Sequence, residues 1–514
     1  MRRRLSALAV CVALPATILA GCGGGDGSSD VDVGPATAVP ANAPIYLDAT
    51  VKPTGSAEAD AKAALGKVLD TDDPGAKIVS LIEDAAKSEG HPINFDQDVK
   101  PWLGERAGVF FTNLSGDTTN GTVVLETTNP SAALAGIQKS VGVTAANPAP
   151  QSYNGSSYQT DPTDSGHVFG TVGNFLVEGD LDGFKSAVDA EKGDSLGDSS
   201  DFTDALGELP DDGLGTFYMV PRTLLDSLGP GQIDQASQAV LEKSAGEALD
   251  KPVSGALTAS ADSFDLDFVG GDDGVETPES SLLGSVPSQT WLALGLGNLG
   301  DAVKRTLDQV KAQIPNYDAV VRQIEQTTGS SIGQLTDSLG DAVVYVEGTT
   351  ESTLTGALVV KSEDPDLTGR LLSQLQGLLR LGNAGGVRPL QLSGGGVGFQ
   401  INDPSTAPAP IEIAQQGDKL VIGYGANSAE RTLTPAETLA DSQTFATATG
   451  HVSDLGTDLF LDFPSLFQLA ESTGAKSDPG YVQARPYIDA LGYLVSGSGT
   501  KDDQTEVKAV LGLK

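Results

Sequence analysis

The chain has 514 residues, with 69 Asp and Glu against 31 Lys and Arg, three His and two Cys, for a formal net charge of −38. That excess of acid would repel polyphosphate over most of the surface, which excludes a basic nucleic-acid binder, and the length exceeds one ordinary domain. Apolar residues make up 39% and recur periodically along the whole chain, which excludes wholesale disorder.

Arg2, Arg3 and Arg4 open the sequence, and an apolar run from Leu5 to Ile18 is interrupted by Pro15. The run is too short and broken for a spanning helix, which needs about 20 apolar residues. It ends in Leu19-Ala20-Gly21-Cys22, which resembles the lipobox of bacterial lipoproteins. Small side chains let such a segment lie extended in a peptidase cleft, and the thiol accepts the lipid. Residues 1–21 are thus expected to be a lipoprotein signal peptide, with Cys22 lipidated by diacylglyceryl and palmitate-type chains. Two or three acyl chains anchor stably, at about 0.8 kcal/mol per buried CH₂. Cys11 would leave with the leader, so no thiol remains for a disulfide, a Cys metal site or a Cys nucleophile.

Residues 22–38 read as the lipidated Cys followed by a flexible acidic tether, GGGDGSSDVDVGPATA from Gly23 to Ala38. A Gly-rich coil of that length spans roughly 20–24 Å. Surface charge is screened within about 8 Å in physiological salt, so an acidic body can stand clear of anionic headgroups.

The body, read in order, contains the same pattern twice. Val39-Pro40 leads into an apolar segment at Ile45, and Val286-Pro287 into another at Thr290-Trp291-Leu292. Val123-Val124-Leu125 followed by Asn129-Pro130 matches Leu358-Val359-Val360 followed by Asp364-Pro365. Each predicts a strand, a helix cap and a Pro at the first helical position. Leu134, Ile137 and Val141 then mark one apolar helix face, and Leu367, Leu371, Leu375 and Leu378 the other. Gly173-Asn174 and Gly417-Asp418 predict hairpins between apolar strands. Leu196-x-Asp198-Ser199-x-x-Phe202 recurs as Leu439-x-Asp441-Ser442-x-x-Phe445, and alternating strands close both copies at Phe264 and Val507.

The expected fold class is α+β: two related halves, each a largely antiparallel sheet with helices packed on one face. The expected domains are a first repeat lobe at 39–271, a linker at 272–285 and a second repeat lobe at 286–514. With its lipobox, its Pro-rich opening into a first strand and its repeated strand–helix pattern, the chain resembles an actinobacterial-type family of bacterial lipoproteins of unknown function. The resemblance implies an internally duplicated extracytoplasmic body and carries no catalytic residues.

Two motifs invite a catalytic reading. Gly295-x-Gly297-x-x-Gly300 has the spacing of a dinucleotide-binding turn and lies between a strand and a helix whose face is Val303, Leu307, Val310 and Ile314. The expected second strand is missing, because Asn316 to Gln326 reads as another helix, so a glycine-rich strand–helix turn is the better reading. Gly329-x-Ser331-x-Gly333 has the spacing of a nucleophile elbow, but a helix precedes it where a strand should. A base would have to come from His91, His167 or His451, none repeated in the other half. Three isolated His and no free Cys make no zinc site, and Asp70 to Asp73 and Asp272-Asp273 lack the periodicity of a calcium loop. No catalytic, cofactor or metal residues are therefore assigned.

Trp102, Trp291 and the leucines from Leu367 to Leu379 are candidates to line an apolar cavity, with plain core as the competing reading. The expected role is a membrane-anchored, extracytoplasmic cell-envelope lipoprotein, non-enzymatic, binding an apolar ligand or an envelope protein and no nucleic acid. The alternatives are a structural or interaction protein without a small-molecule ligand and, below that, an envelope hydrolase.

Overall fold

The structure is a computed structural model that describes residues 33–514 except 89, 91, 115–120, 144–148, 163, 211–212, 229–231, 234, 272–278, 312–313, 315, 382–385, 404–406 and 502–503. The chain divides into two compact units, residues 1–273 with 501–506 and residues 274–500 with 507–514.

The strands of the first unit are β1 (Ile45–Thr50), β2 (Leu103–Phe111), β3 (Gly121–Thr127), β4 (Gln151–Tyr153), β5 (Ser156–Thr160), β6 (His167–Val172), β7 (Phe175–Asp180), β8 (Gly215–Met219), β9 (Val253–Ser260) and β10 (Ser263–Gly271). They pair antiparallel in the order β4-β5-β6-β7-β3-β2-β1-β8-β9-β10. Helices α1 (Gly55–Leu69), α2 (Pro74–Ser88) and α3 (Phe95–Asp98) join β1 to β2, and α4 (Pro130–Ser140) follows β3. Helices α5 (Leu181–Lys192) and α6 (Ser200–Gly207) follow β7, with α7 (Pro221–Ser227) and α8 (Gln235–Ala245) between β8 and β9. Asn129 caps α4 as its Asn-Pro sequence predicts, its side chain accepting from Ala132 N at 3.1 Å.

The second unit runs through the same succession. Its strands are β11 (Thr290–Leu296), β12 (Leu339–Glu347), β13 (Thr355–Ser362), β14 (Val387–Pro389), β15 (Val397–Ile401), β16 (Ile411–Gln416), β17 (Lys419–Tyr424), β18 (Gly456–Asp462), β19 (Leu491–Lys501) and β20 (Gln504–Leu513). They pair antiparallel in the order β14-β15-β16-β17-β13-β12-β11-β18-β19, with β20 beside β19. The helices are α9 (Leu299–Val310), α10 (Tyr317–Thr328), α11 (Ile332–Asp337), α12 (Pro365–Leu381), α13 (Ser428–Leu433), α14 (Gln443–Gly450), α15 (Phe463–Ser472) and α16 (Pro479–Ile488). The two hairpins turn where Gly173 and Gly417 adopt positive φ, at +53° and +60°.

Helices cover both faces of the first sheet, not one as the sequence pattern suggested. One core holds Ala107, Val123, Leu125, Phe169 and Leu176 of the sheet with Ile78 and Ile82 of α2, Phe95, Trp102 and Ile137. The other holds the alternate residues Tyr46, Phe110, Val124, Val168 and Val177 with Phe184 and Val188 of α5 and Phe202 of α6. Val123, Val124 and Leu125 are consecutive and all buried, the mark of a strand covered on both sides. The second unit has one large core, on the face that carries Ala293, Val343, Tyr345, Val359 and Phe460.

Folding also begins earlier than the tether and linker boundaries. Gly34–Ala38 is a 3₁₀ turn with Pro35, Ala36 and Ala38 buried, so the expected tether is part of the core from residue 34. Gly34 sits at φ +38°, a conformation that side chains rarely adopt, and a Cβ there would lie a tight 3.0 Å from Arg106 Cδ. That arginine sits on the buried Asp48, with Nη2–Oδ1 at 2.7 Å, and Tyr46 donates to the same carboxylate at 2.8 Å. Residues 279–285 of the expected linker are likewise folded: Leu282 and Leu283 are core, and Ser280 donates to Ala342 O at 2.7 Å. After each such start, Val39 O accepts from Leu196 N and Val286 O from Leu439 N, both at 2.7 Å.

Candidate binding face on the second unit

In antiparallel sheets, directly opposed residues share a face, so the pairing registers identify side chains that form a row across the strands. In the first unit one such row is Phe217–Leu47–Val109–Val123–Glu178–Phe169, from β8 to β6. The matching row of the second unit is Leu459–Leu294–Val344–Leu358–Ile422–Ile413, from β18 to β16. Leu47 and Leu294 at the β1 and β11 positions are equally open, at 40% and 41% exposure. The rows diverge beyond them. Val123, Glu178 and Phe169 are buried, whereas Ile422 is 40% exposed and Leu358 and Ile413 are half-buried.

The helices explain the divergence. α2 drives Ile78 and Ile82 into the first core, and Trp102 fills the space beside α4, its Nε1 donating to Asp98 O at 2.6 Å. The corresponding α10 buries no residue, with Val320 and Ile324 exposed. The half-buried face of α9 is Val303, Leu307 and Val310, as its sequence predicts, but only Gly300 of this helix is fully buried. On α12 the expected stripe is only partly realised: Leu367, Thr368 and Leu372 are buried, while Leu375 and Leu378 are exposed. α12 has 17 residues where α4 has 11, and Leu378 lies on its additional residues, 376–381.

The two tempting motifs are structural. A Cβ on Gly300 would lie 2.2 Å from Thr336 O, so this glycine permits the close approach of α9 to α11. The start of α9 already holds a carboxylate: Asp341 accepts from Asn298 N at 3.1 Å and from Ser281 N at 2.9 Å. Burial works against the Asp341 charge, but the hydrogen bonds from Ser281 and Asn298 and nearby Lys361 hold its pKa below the usual value. A pyrophosphate would have to displace it. Ser331 caps α11, accepting from Gln334 N at 3.2 Å, after Gly329 has ended α10 at φ +71°. His451 ends α14 with its ring against Tyr493. His167 Nδ1 is 3.6 Å from the buried Glu178 Oε1 in the first unit. The adjacent Glu178 carboxylate raises the imidazole pKa, burial opposes this, and the charges of Asp164 and Asp161 add to the rise.

Trp102 is buried in the first core, and Trp291 is buried with its Nε1 on Gly348 O at 2.9 Å, so neither lines the open face. Cys22 and His91 lie outside the described residues. Sequence reasoning found the leucines of α12 but missed Leu294, Val344 and Ile422. The available signal was the comparison of equivalent positions, where the place of Glu178 in one half is taken by Ile422 in the other.

Among the described residues no helix is long and apolar enough to cross a membrane, and no group of three or more His, Cys, Asp or Glu is placed to hold a metal ion. No curated protein is significantly similar to the chain. A solved structure titled "Structure of crystal form I of TP0453" is similar at 11% identity, over 78% of this chain and 95% of that one, with a TM-score of 0.16 that carries no fold argument. Residues 9–507 match the family described as "Protein of unknown function (DUF3352)", and with nearly its whole length matched the chain belongs to that family.

Proposed function

We propose that this protein is a lipid-anchored, non-enzymatic binding protein of the bacterial cell envelope, and that the second unit holds an apolar ligand on the open face of its sheet. One observation carries the reading. The row Leu294–Val344–Leu358–Ile422 is aliphatic and open or half-buried along its length, whereas Val123 and Glu178, at the positions of Leu358 and Ile422, are buried in a unit of the same strand order. An exposed apolar face on a rigid scaffold is the usual form of a ligand or partner site. Anchoring through Cys22 is supported by the Leu19-Ala20-Gly21-Cys22 sequence behind a charged start and a short apolar run.

The decisive measurement is native mass spectrometry on the exported body starting at Asp30, upstream of the folded turn at 34–38. A discrete extra mass that vanishes on denaturation is the expected result, and a clean apo mass would overturn the binding role. For the anchor, labelled palmitate should enter the full chain and be lost in Cys22→Ala; incorporation that survives this change would refute it.

A further inference from the structure

Resting on the reading that the second unit binds an apolar ligand, we infer that the ligand is the long acyl chain of a membrane lipid, lying across the strands along Leu459, Leu294, Val344, Leu358, Ile422 and Ile413. The chemistry of the row selects it. Each of the six strands contributes one branched aliphatic side chain, and none of the six carries a hydrogen-bonding atom. A peptide laid there would bring backbone N–H and C=O groups that the row leaves unpaired, whereas an alkyl chain brings none.

The dimensions agree. Five inter-strand intervals of about 4.8 Å make a track of roughly 24 Å. A membrane acyl chain reaches across half of a bilayer core about 30 Å thick, roughly 15 Å, so it fits with its polar end at the rim.

Continuity of the track is particular to the second unit. In the first, Glu178 stands in the row and is buried beside His167, and a carboxylate there is a barrier to an alkyl chain. The second unit has Ile422 at that point, 40% exposed. Helix α12 packs against β15 and β16 at one end of the row and leaves Leu375 and Leu378 exposed, and α9 packs against β12. Residues 299–337 and 365–381 together carry as many basic as acidic residues, in a chain with 69 acidic to 31 basic. An anionic headgroup at this rim therefore escapes the repulsion it would meet over the rest of the surface.

The test is photo-crosslinking of the full chain in membranes with a 16-carbon fatty acid that carries a diazirine near its methyl end. Adducts are expected on the peptides that hold Leu294, Val344 and Ile422, and an excess of plain 16-carbon acid should compete them away far better than an 8-carbon acid does. Ile422→Glu, which places in this row the residue type found at 178, should lower the yield about tenfold by putting a charge in the track. Val482→Glu, at an exposed site elsewhere, should leave it unchanged. Circular dichroism on both variants confirms folding, and Leu294→Asn provides a milder second probe of the row. Adducts spread without preference for these peptides, or equal yields from Ile422→Glu and wild type, would overturn the inference. Copy-to-copy protein cross-links at the same peptides with no lipid adduct would give the face to a second copy instead. A bound mass in native spectra that is not an acyl lipid would sink the acyl chain alone, while absence of both mass and adducts would sink the apolar-ligand reading as well.

Discussion

Two units whose strands pair in the same order treat the same row of positions differently. The first unit buries Val123, Glu178 and Phe169 beneath α2, α3 and α4, while the second leaves Leu358, Ile422 and Ile413 half-buried or exposed. The sheet does not cause this, since register and pairing order agree. The cause is what the connecting segments carry: Ile78, Ile82 and Phe95 of the helices and Trp102 of the turn before β2 belong to the first core, whereas α10 buries nothing and α12 exposes Leu375 and Leu378. One scaffold thus serves as a closed core in one place and as an open apolar face in the other, where what decides is the size and placement of a few side chains.

The largest effect should come from breaking the closed side. Trp102→Ala removes a fully buried indole and should destabilise the protein by about 3–5 kcal/mol in urea unfolding. Ile422→Ser, on the open side, should stay within about 0.5 kcal/mol. A large loss at Ile422 would mean that the face is a core after all.

Asp48→Ala should follow, at about 3 kcal/mol, because it leaves the Arg106 guanidinium and the Tyr46 hydroxyl without their carboxylate beneath the turn at 34–38. Hydrogen exchange should rise together at residues 34–38 and on β1. A variant as stable as wild type would remove the ion pair as what holds the turn at 34–38 in place.

Glycines on matched helices give a finer test. A Cβ on Gly136 of α4 would lie 2.5 Å from Asp98 O and 2.8 Å from Trp102 Nε1, so Gly136→Ala should destabilise by about 1–3 kcal/mol. Gly377 of α12 has nothing within 4 Å of that position, so Gly377→Ala should stabilise by about 0.5–1 kcal/mol through helix propensity. Thermal melts of the pair should move in opposite directions.

The smallest effect concerns pH. Glu178 raises the His167 pKa in the folded state, so the pair's contribution is fully present below the ordinary imidazole pKa and is lost as pH rises through the raised value. Asp161 and Asp164 act in the same direction. Wild type should therefore lose stability relative to His167→Gln between mildly acidic and mildly alkaline pH. Parallel stability profiles for the two proteins would show that the imidazole does not titrate against Glu178.

Much of the architecture is local and was legible. Asn129-Pro130 and Asp364-Pro365 announce helix starts because the cap and the fixed proline φ act within one turn. Gly173 and Gly417 announce hairpins because positive φ is a single-residue property. The recurrence of these signals shows in the sequence, and the strand pairings recur in the same order. The folded starts at Gly34 and Glu279 were not legible, since small and polar residues near a sheet read as a tether until a distant partner such as Arg106 or Ala342 is known.

Composition and short-range spacing were enough for the acidic balance, the leader-like start with Cys22, the α+β succession of strands and helices, and the lack of any Cys after residue 22. Each is a matter of composition or of spacing along a few residues. Long-range packing was needed to see that helices cover both faces of the first unit's strands, that Gly300 and Ser331 serve packing and capping, and that Ile422 is open where Glu178 is closed in. Those outcomes depend on whether side chains far apart in sequence fill the same space, which periodicity along one strand or helix does not encode.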